Sequence, residues 1–151
     1  MQLSLIKDTK NLSKKISKIL KAGDVVFLYG KIGVGKSTFV RFLINILELK
    51  NGIKKSDVLS PTFNLVYDYT INKIKIQHYD LYRLKNYNDN LELGIFEDSA
   101  DCIKIVEWPE LIKIKPKDRI DIFFQYTKSM TSRKANIVGF GKWKNYKFNE
   151  F

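Results

Sequence analysis

A chain of 151 residues is the size of one ordinary domain, and 44% hydrophobic residues are enough for a sizeable core. The first residues, MQLSLIKDTKNLSKK, hold no apolar h-region and no small-residue cleavage site, no apolar run approaches the roughly 20 residues of a membrane span, and Cys102 is the only cysteine. A secretion signal, a membrane span, an internal disulfide and a Cys-cluster metal site are thereby set aside, a cytosolic location is expected, and Cys102 reads as a small buried hydrophobe. The net charge of +11 invites a nucleic-acid reading, yet 23 Lys stand against only 4 Arg, alongside 18 Ile and 11 Asn. That bias has the mark of A/T-rich coding, because phosphate and base contacts reward the bidentate fork of Arg. Coding bias and real attraction to an RNA or acidic partner both stay open.

In chain order, residues 2–6 read as a short strand. Residues 9–22 carry Leu12, Ile16, Ile19 and Leu20 on one helical face. Val25–Tyr29 is a continuous apolar run, as in a strand buried on both faces. Residues 36–49 follow as a helix with Phe39, Phe42, Leu43, Ile46 and Leu47 inward. Phe63–Tyr69 and Ile74–Leu81 read as two strands of a hairpin turning at Asn72-Lys73. Residues 83–101 are polar with short helical pieces. Ile103–Glu107 is another buried strand, stopped by Trp108-Pro109, and Pro109 suits the first turn of a short helix through Ile112. Arg119–Thr127 alternates, with Ile120, Ile122, Phe124 and Tyr126 on one face, and pairs with Ala135–Phe140 across the polar loop 128–133. The sum is an α/β fold of the P-loop NTPase kind: one domain over residues 1–151, a mixed, mainly parallel sheet, helices on both faces and a C-terminal β-hairpin.

Between the second strand and the second helix lies Gly30-Lys31-Ile32-Gly33-Val34-Gly35-Lys36-Ser37, a full match to G-x-x-x-x-G-K-[ST]. Glycines let the backbone curl so that successive N–H groups face a phosphate without a Cβ in the way. The loop feeds a helix N-terminus, whose free amides attract an anion. Lys36 is placed to reach the β- and γ-phosphates and Ser37 Oγ to ligate Mg²⁺. The expected nucleotide contacts are Lys31, Ile32, Gly33, Val34, Gly35, Lys36, Ser37 and Thr38.

Such a site needs an acid for the metal or its water. Asp80 and Glu107 each end a strand, where ligands of open α/β sheets gather. With Ser37 they form the expected metal set. His78, the only histidine, reads as packing. Thr62, in the turn Ser60-Pro61-Thr62, is a candidate γ-phosphate sensor. Trp108 fits equally a core residue and a residue of the site. No N-K-x-D and no D-x-x-G occurs, which makes ATP the nucleotide. The four arginines, Arg41, Arg83, Arg119 and Arg133, are scattered, unlike the arginine-rich lid of a small-molecule kinase. That class and a nucleotide-dependent interaction module remain alternatives to an ATPase.

Five segments in order carry a family resemblance: Ala22-Gly23-Asp24 before the loop; Ser60-Pro61-Thr62-Phe63; His78-Tyr79-Asp80-Leu81-Tyr82-Arg83-Leu84; Glu92-Leu93-Gly94 with Glu97; and Glu107-Trp108-Pro109-Glu110. Over residues 22 to 112 the chain resembles the TsaE (YjeE) family, the ATPase of bacterial N6-threonylcarbamoyladenosine synthesis on tRNA. The resemblance implies an ATPase that acts with the TsaB–TsaD heterodimer, in which TsaD transfers the threonylcarbamoyl group, so that tRNA is met through that complex. No role for DNA or membrane is expected. By position in the motifs, Lys36 and Ser37 are phosphate and Mg²⁺ contacts, Thr62 belongs to a switch-like loop, Asp80 is the acid on the Mg²⁺ side, Glu107 is the Walker-B-like acid, and Trp108 is a site residue beside it. Ser37 stands where the family usually has Thr, and Asn64 follows Phe63 where Thr is common.

Overall fold

The computed structural model describes residues 1–84, 95–96, 101–128 and 132–150. Seven strands form one sheet: β1 (Gln2–Leu3), β2 (Val25–Tyr29), β3 (Val66–Ile71), β4 (Ile74–Asp80), β5 (Cys102–Glu107), β6 (Arg119–Tyr126) and β7 (Arg133–Phe140), in the spatial order β1-β7-β6-β2-β5-β4-β3. The centre, β6-β2-β5-β4, is parallel throughout. The pairs β3-β4, β6-β7 and β1-β7 are antiparallel. The sheet is therefore mixed as expected, with its parallel part at the centre and the C-terminal hairpin β6-β7 toward one edge. Parallel order brings the carboxyl ends of β2, β4, β5 and β6 to one end of the sheet.

Among the described residues two α-helices, α1 (Ile6–Ile19) and α2 (Lys36–Lys50), cover one face. Leu12 and Ile16 of α1 and Phe39, Val40, Leu43 and Ile44 of α2 are fully buried there against Val26, Leu28, Ile105, Ile122 and Phe124. The other face of β2 presents Val25 and Phe27 to Tyr79, Val106, Ile95 and Ile112, beside the 3₁₀ turn Pro109–Leu111. Among the described residues both α-helices lie on one face, and the other carries the short 3₁₀ turn Pro109–Leu111. Burial on both faces is why β2 reads as an unbroken apolar run.

Several boundaries differ from expectation, two of them for a clear local reason. The first strand stops at Leu3 and α1 begins at Ile6, because the Asp8 carboxylate accepts the Leu5 amide at 2.8 Å and supplies the acid a first turn favours. The strand expected from Phe63 begins at Val66. Leu65 takes a left-handed φ of 66° and its amide donates to the Pro61 carbonyl at 2.6 Å, so residues 61–65 form a turn that leaves Phe63 exposed. Strand β7 begins at Arg133, two residues early. The hairpin β3-β4 closes as expected, with Ile71 opposite Ile74 and Asn72 at φ 54°. The helical pieces expected between 83 and 101, and the motif residues Glu92, Leu93, Gly94 and Glu97, lie outside the described residues.

Asp24 sits at the end of β2 away from the glycine loop. Its carboxylate accepts the Lys21 amide at 2.7 Å and pairs with Lys142 at 2.6 Å. It ties the entry of β2 to the C-terminal segment, a structural role. Cys102 is buried, as expected, and burial pushes its thiol upward. Among the described residues no helix is long and apolar enough to cross a membrane.

Candidate nucleotide site

The glycine loop occupies the sharp turn from β2 into α2. Gly30, Gly33 and Gly35 take φ of 136°, 75° and 110°, a region side chains rarely tolerate. At Gly30 the constraint is also steric: a Cβ there would lie 2.4 Å from the Phe124 carbonyl of β6. Lys36 bends back over the loop and donates to the carbonyls of Gly30 at 2.6 Å and Lys31 at 3.1 Å. Its ammonium also stands 3.8 Å from the centroid of the Trp108 ring. Burial pushes the Lys36 amine below its ordinary value, while Glu107, Asp80 and Glu110 pull the other way. A desolvated cation resting on neutral carbonyls has no anionic partner at hydrogen-bond distance among the described residues.

The acids come from neighbouring parallel strands. Asp80 and Glu107 are register partners at the carboxyl ends of β4 and β5. Both are nearly fully buried, at 3% and 1% exposure. Ser37 Oγ donates to Glu107 Oε2 at 3.0 Å, and His78 Nε2 contacts Glu107 Oε1 at 2.9 Å. With the carboxylate as acceptor, the histidine proton belongs on Nε2. Asp80 Oδ2 accepts the Thr62 hydroxyl, with Ser60 Oγ at 3.4 Å, and Asp80 Oδ1 accepts the Tyr82 amide at 3.0 Å. The turn forced by Leu65 is what lays Thr62 over Asp80. Trp108 takes a left-handed φ of 60° directly after β5 and packs against Tyr82 with centroids 4.9 Å apart. Its backbone turn swings the ring over Lys36.

Ile32, Gly33, Gly35, Lys36, Ser37, Thr38, Thr62, Asp80, Glu107 and Trp108 thus surround one cleft of about 210 Å³. Lys31 and Val34 lie on its other side: Val34 is buried in the core and Lys31 is exposed, and both border a second cleft of about 660 Å³ that runs along Tyr29, Gln125, Tyr126, Thr127 and Lys128. Sequence reasoning missed three participants. Tyr82 and Ser60 carried no signal beyond their motifs. His78 is buried, as a packing residue would be, and it is also bonded to Glu107. The period-2 pattern of β4 puts His78 on the same face as Asp80, which was the available clue.

Among the described residues no three His, Cys, Asp or Glu side chains converge on a point. The donors present are the Ser37 hydroxyl and the Asp80 and Glu107 carboxylates, hard oxygens of the kind Mg²⁺ takes when phosphate oxygens and waters complete its shell. The set fits that ion and is wrong for a metal held by thiolates or imidazoles.

A family model described as threonylcarbamoyl adenosine biosynthesis protein TsaE matches residues 3–135. The chain belongs to the TsaE family. The match extends well beyond the motif-bearing residues 22–112, from β1 into β7. Relatives described as tRNA threonylcarbamoyladenosine biosynthesis protein TsaE include that of Rickettsia prowazekii, 40% identical over 107 residues, which are 71% of this chain and 72% of that protein. The Aquifex aeolicus TsaE is 40% identical over 113 residues, 75% and 77% of the two chains. The alignment to the Rickettsia conorii TsaE, also 40% identical, covers 70% of this chain and 58% of that longer protein. The crystal structure of Bacillus subtilis YdiB shares the fold, with a TM-score of 0.74 and 23% identity over 99% of this chain and 90% of that one. The TsaE membership and the shared architecture agree with the α/β fold expected from the sequence.

Proposed function

We propose that this TsaE-family chain binds Mg²⁺-ATP and hydrolyses it to ADP and phosphate, in the service of a TsaB–TsaD complex that forms N6-threonylcarbamoyladenosine on tRNA. The observation that carries the reading is the joint placement of the glycine loop, Ser37 and Glu107: a phosphate cradle whose metal-binding hydroxyl is already bonded to a buried acid on the next parallel strand. The tRNA-modification role follows the names of the relatives.

On this reading the loop amides and the α2 N-terminus hold the phosphates, and Lys36 leaves its two carbonyls for the β- and γ-oxygens. When bound, Mg²⁺ would supply positive charge against the charge developing on the departing phosphoryl group. Ser37 and Glu107 would hold the ion, His78 fixes the Glu107 carboxylate, and Asp80 with Thr62 would close the opposite wall of the cleft. The nucleoside takes the larger cleft along Gln125–Lys128, on the side of the loop away from the acids. Among the described residues that line the small cleft there is no arginine. This disfavours a phosphate-clamping kinase and leaves room for a group from TsaB–TsaD. The test is phosphate release from Mg²⁺-ATP by wild type and Lys36→Ala, with equilibrium ATP binding in parallel. The variant is expected to lose both while keeping its fold, and unaltered ATP affinity would remove the basis of the proposal.

A further inference from the structure

Helix α1 buries Thr9, Leu12, Ser13, Ile16 and Ser17 and turns a different set outward. Lys7, Lys10, Lys14 and Lys18 are all exposed, at spacings of three, four and four. At 100° per residue they fall within an arc of about 80° and run along about 17 Å of the helix. Lys21 is exposed one residue beyond the C-cap, continuing the row. The helix carries one acid, Asp8, and its carboxylate is engaged with the Leu5 amide. None of the four lysines is in an ion pair among the described residues. Lys50, from the end of α2, adds a further ammonium at the seam, donating to Ser17 Oγ at 3.0 Å. Desolvation first, then the nearby Lys18 and Lys14, push its amine below the ordinary value. The row is therefore an uncompensated line of positive charge.

Solvated helix faces usually mix signs, and a helix whose exposed cations meet no acid repels itself along i, i+4. We propose that this lysine row is a docking surface for the sugar-phosphate backbone of RNA, separate from the nucleotide cleft. Lysine suits the purpose: it is a mobile point charge that neutralises phosphates without reading bases. A lipid surface is the poorer partner, because Leu12 and Ile16 of α1 are sealed in the core and only Leu5 and Ile6, at one end of the helix, are exposed, too few to make an inserting face along the lysine row. The choice of tRNA as probe rests on the proposed function. The contact itself requires no nucleotide.

The experiment is the fluorescence anisotropy of a labelled tRNA transcript titrated with the full chain, without ATP, at several salt concentrations. Each phosphate contact contributes about 0.7–0.9 to the slope of log affinity against log salt, so replacing Lys7, Lys10, Lys14 and Lys18 by Gln should lower that slope by about 3 and the affinity at least about tenfold. Arginine at the same four positions should keep the affinity within about twofold of wild type, since the charge is retained. Gln at Lys73, Lys75, Lys117 and Lys144, an equal change of net charge elsewhere, should cost less than about threefold. Equal losses in the two Gln variants would show that net charge alone attracts the RNA and would overturn the proposal. So would absent tRNA binding by wild type, or loss of binding to phosphatidylserine vesicles with tRNA binding unchanged. ATP hydrolysis by the α1 Gln variant, measured separately, is expected to match wild type, which keeps a failure here distinct from a failure of the nucleotide site.

Discussion

Glu107 is where the cleft and the core of the sheet meet, on the side proposed to hold Mg²⁺, which makes Glu107→Ala an informative perturbation. The carboxylate is 1% exposed and receives two bonds, from Ser37 Oγ at 3.0 Å and His78 at 2.9 Å. Truncation leaves His78, fully buried, with no partner for Nε2, and among the described residues its Nδ1 has none either. An orphaned buried polar group costs about 1–3 kcal/mol. Part of the loss is offset by removing a desolvated carboxylate, and part is added by the small cavity. The net expectation is a destabilisation of about 2–4 kcal/mol, or roughly 5–15 °C in Tm for a chain of this size. Replacing His78 by Met in the Glu107→Ala background should recover part of it, because the orphan goes with the ring. Glu107→Gln keeps both contacts in outline and should stay within about 1 kcal/mol of wild type. Both Glu107 variants should nevertheless hydrolyse ATP at least about a hundredfold more slowly, as the charge facing Mg²⁺ is gone. Urea unfolding and phosphate release on the same preparations decide the matter. If Glu107→Ala unfolds within about 0.5 kcal/mol of wild type, the bonded hub described here is wrong. If Glu107→Gln turns over normally, Glu107 is not on the metal side.

Three further expectations follow from the same geometry. Gly30→Ala should destabilise by about 2–4 kcal/mol, seen in urea unfolding, because a Cβ would press the Phe124 carbonyl at 2.4 Å with the backbone at φ 136°. Thr62→Val removes the hydroxyl bonded to Asp80 and should slow hydrolysis about tenfold or more while changing ATP affinity less than about threefold, measured by single-turnover kinetics and equilibrium titration. Burial holds the Lys36 amine below its ordinary 10.5, and phosphate oxygens favour the ammonium. In alkaline solution below that ordinary value, ATP binding should therefore take up a proton, and affinity should fall as pH rises. Calorimetry in two buffers of different ionisation heat reads the uptake directly, and zero uptake there would argue against Lys36 as a phosphate ligand.

The strand-loop-helix unit from Val25 to Lys50 was legible in the sequence because everything that specifies it is local: an apolar run, glycines at three left-handed positions and an amphipathic helix. The end of β5 was legible for the same reason, since Pro109 cannot continue it. The turn before β3 was hidden. Phe63 to Val66 has the apolar content of a strand, and only the Leu65 amide reaching back to Pro61 shows that the chain turns there instead. The bond between His78 and Glu107 was hidden too, because it depends on the parallel register of β4 with β5, a pairing between segments far apart in the chain. Trp108 fitted core and site equally well on paper. Its left-handed backbone, which no local pattern announces, puts the ring over Lys36 and settles its position at the cleft. The charge of +11 is ambiguous as a total, and the helix adds only which lysines share a face.

The cleft is proposed to be an ATPase site that partner proteins complete, and the rate of phosphate release from Mg²⁺-ATP by the full chain alone and with the cognate TsaB–TsaD complex tests that proposal. A low rate alone that rises on adding the complex, and stays at background when Lys36→Ala replaces wild type, is the predicted result. A rate that the complex leaves unchanged would contradict the account.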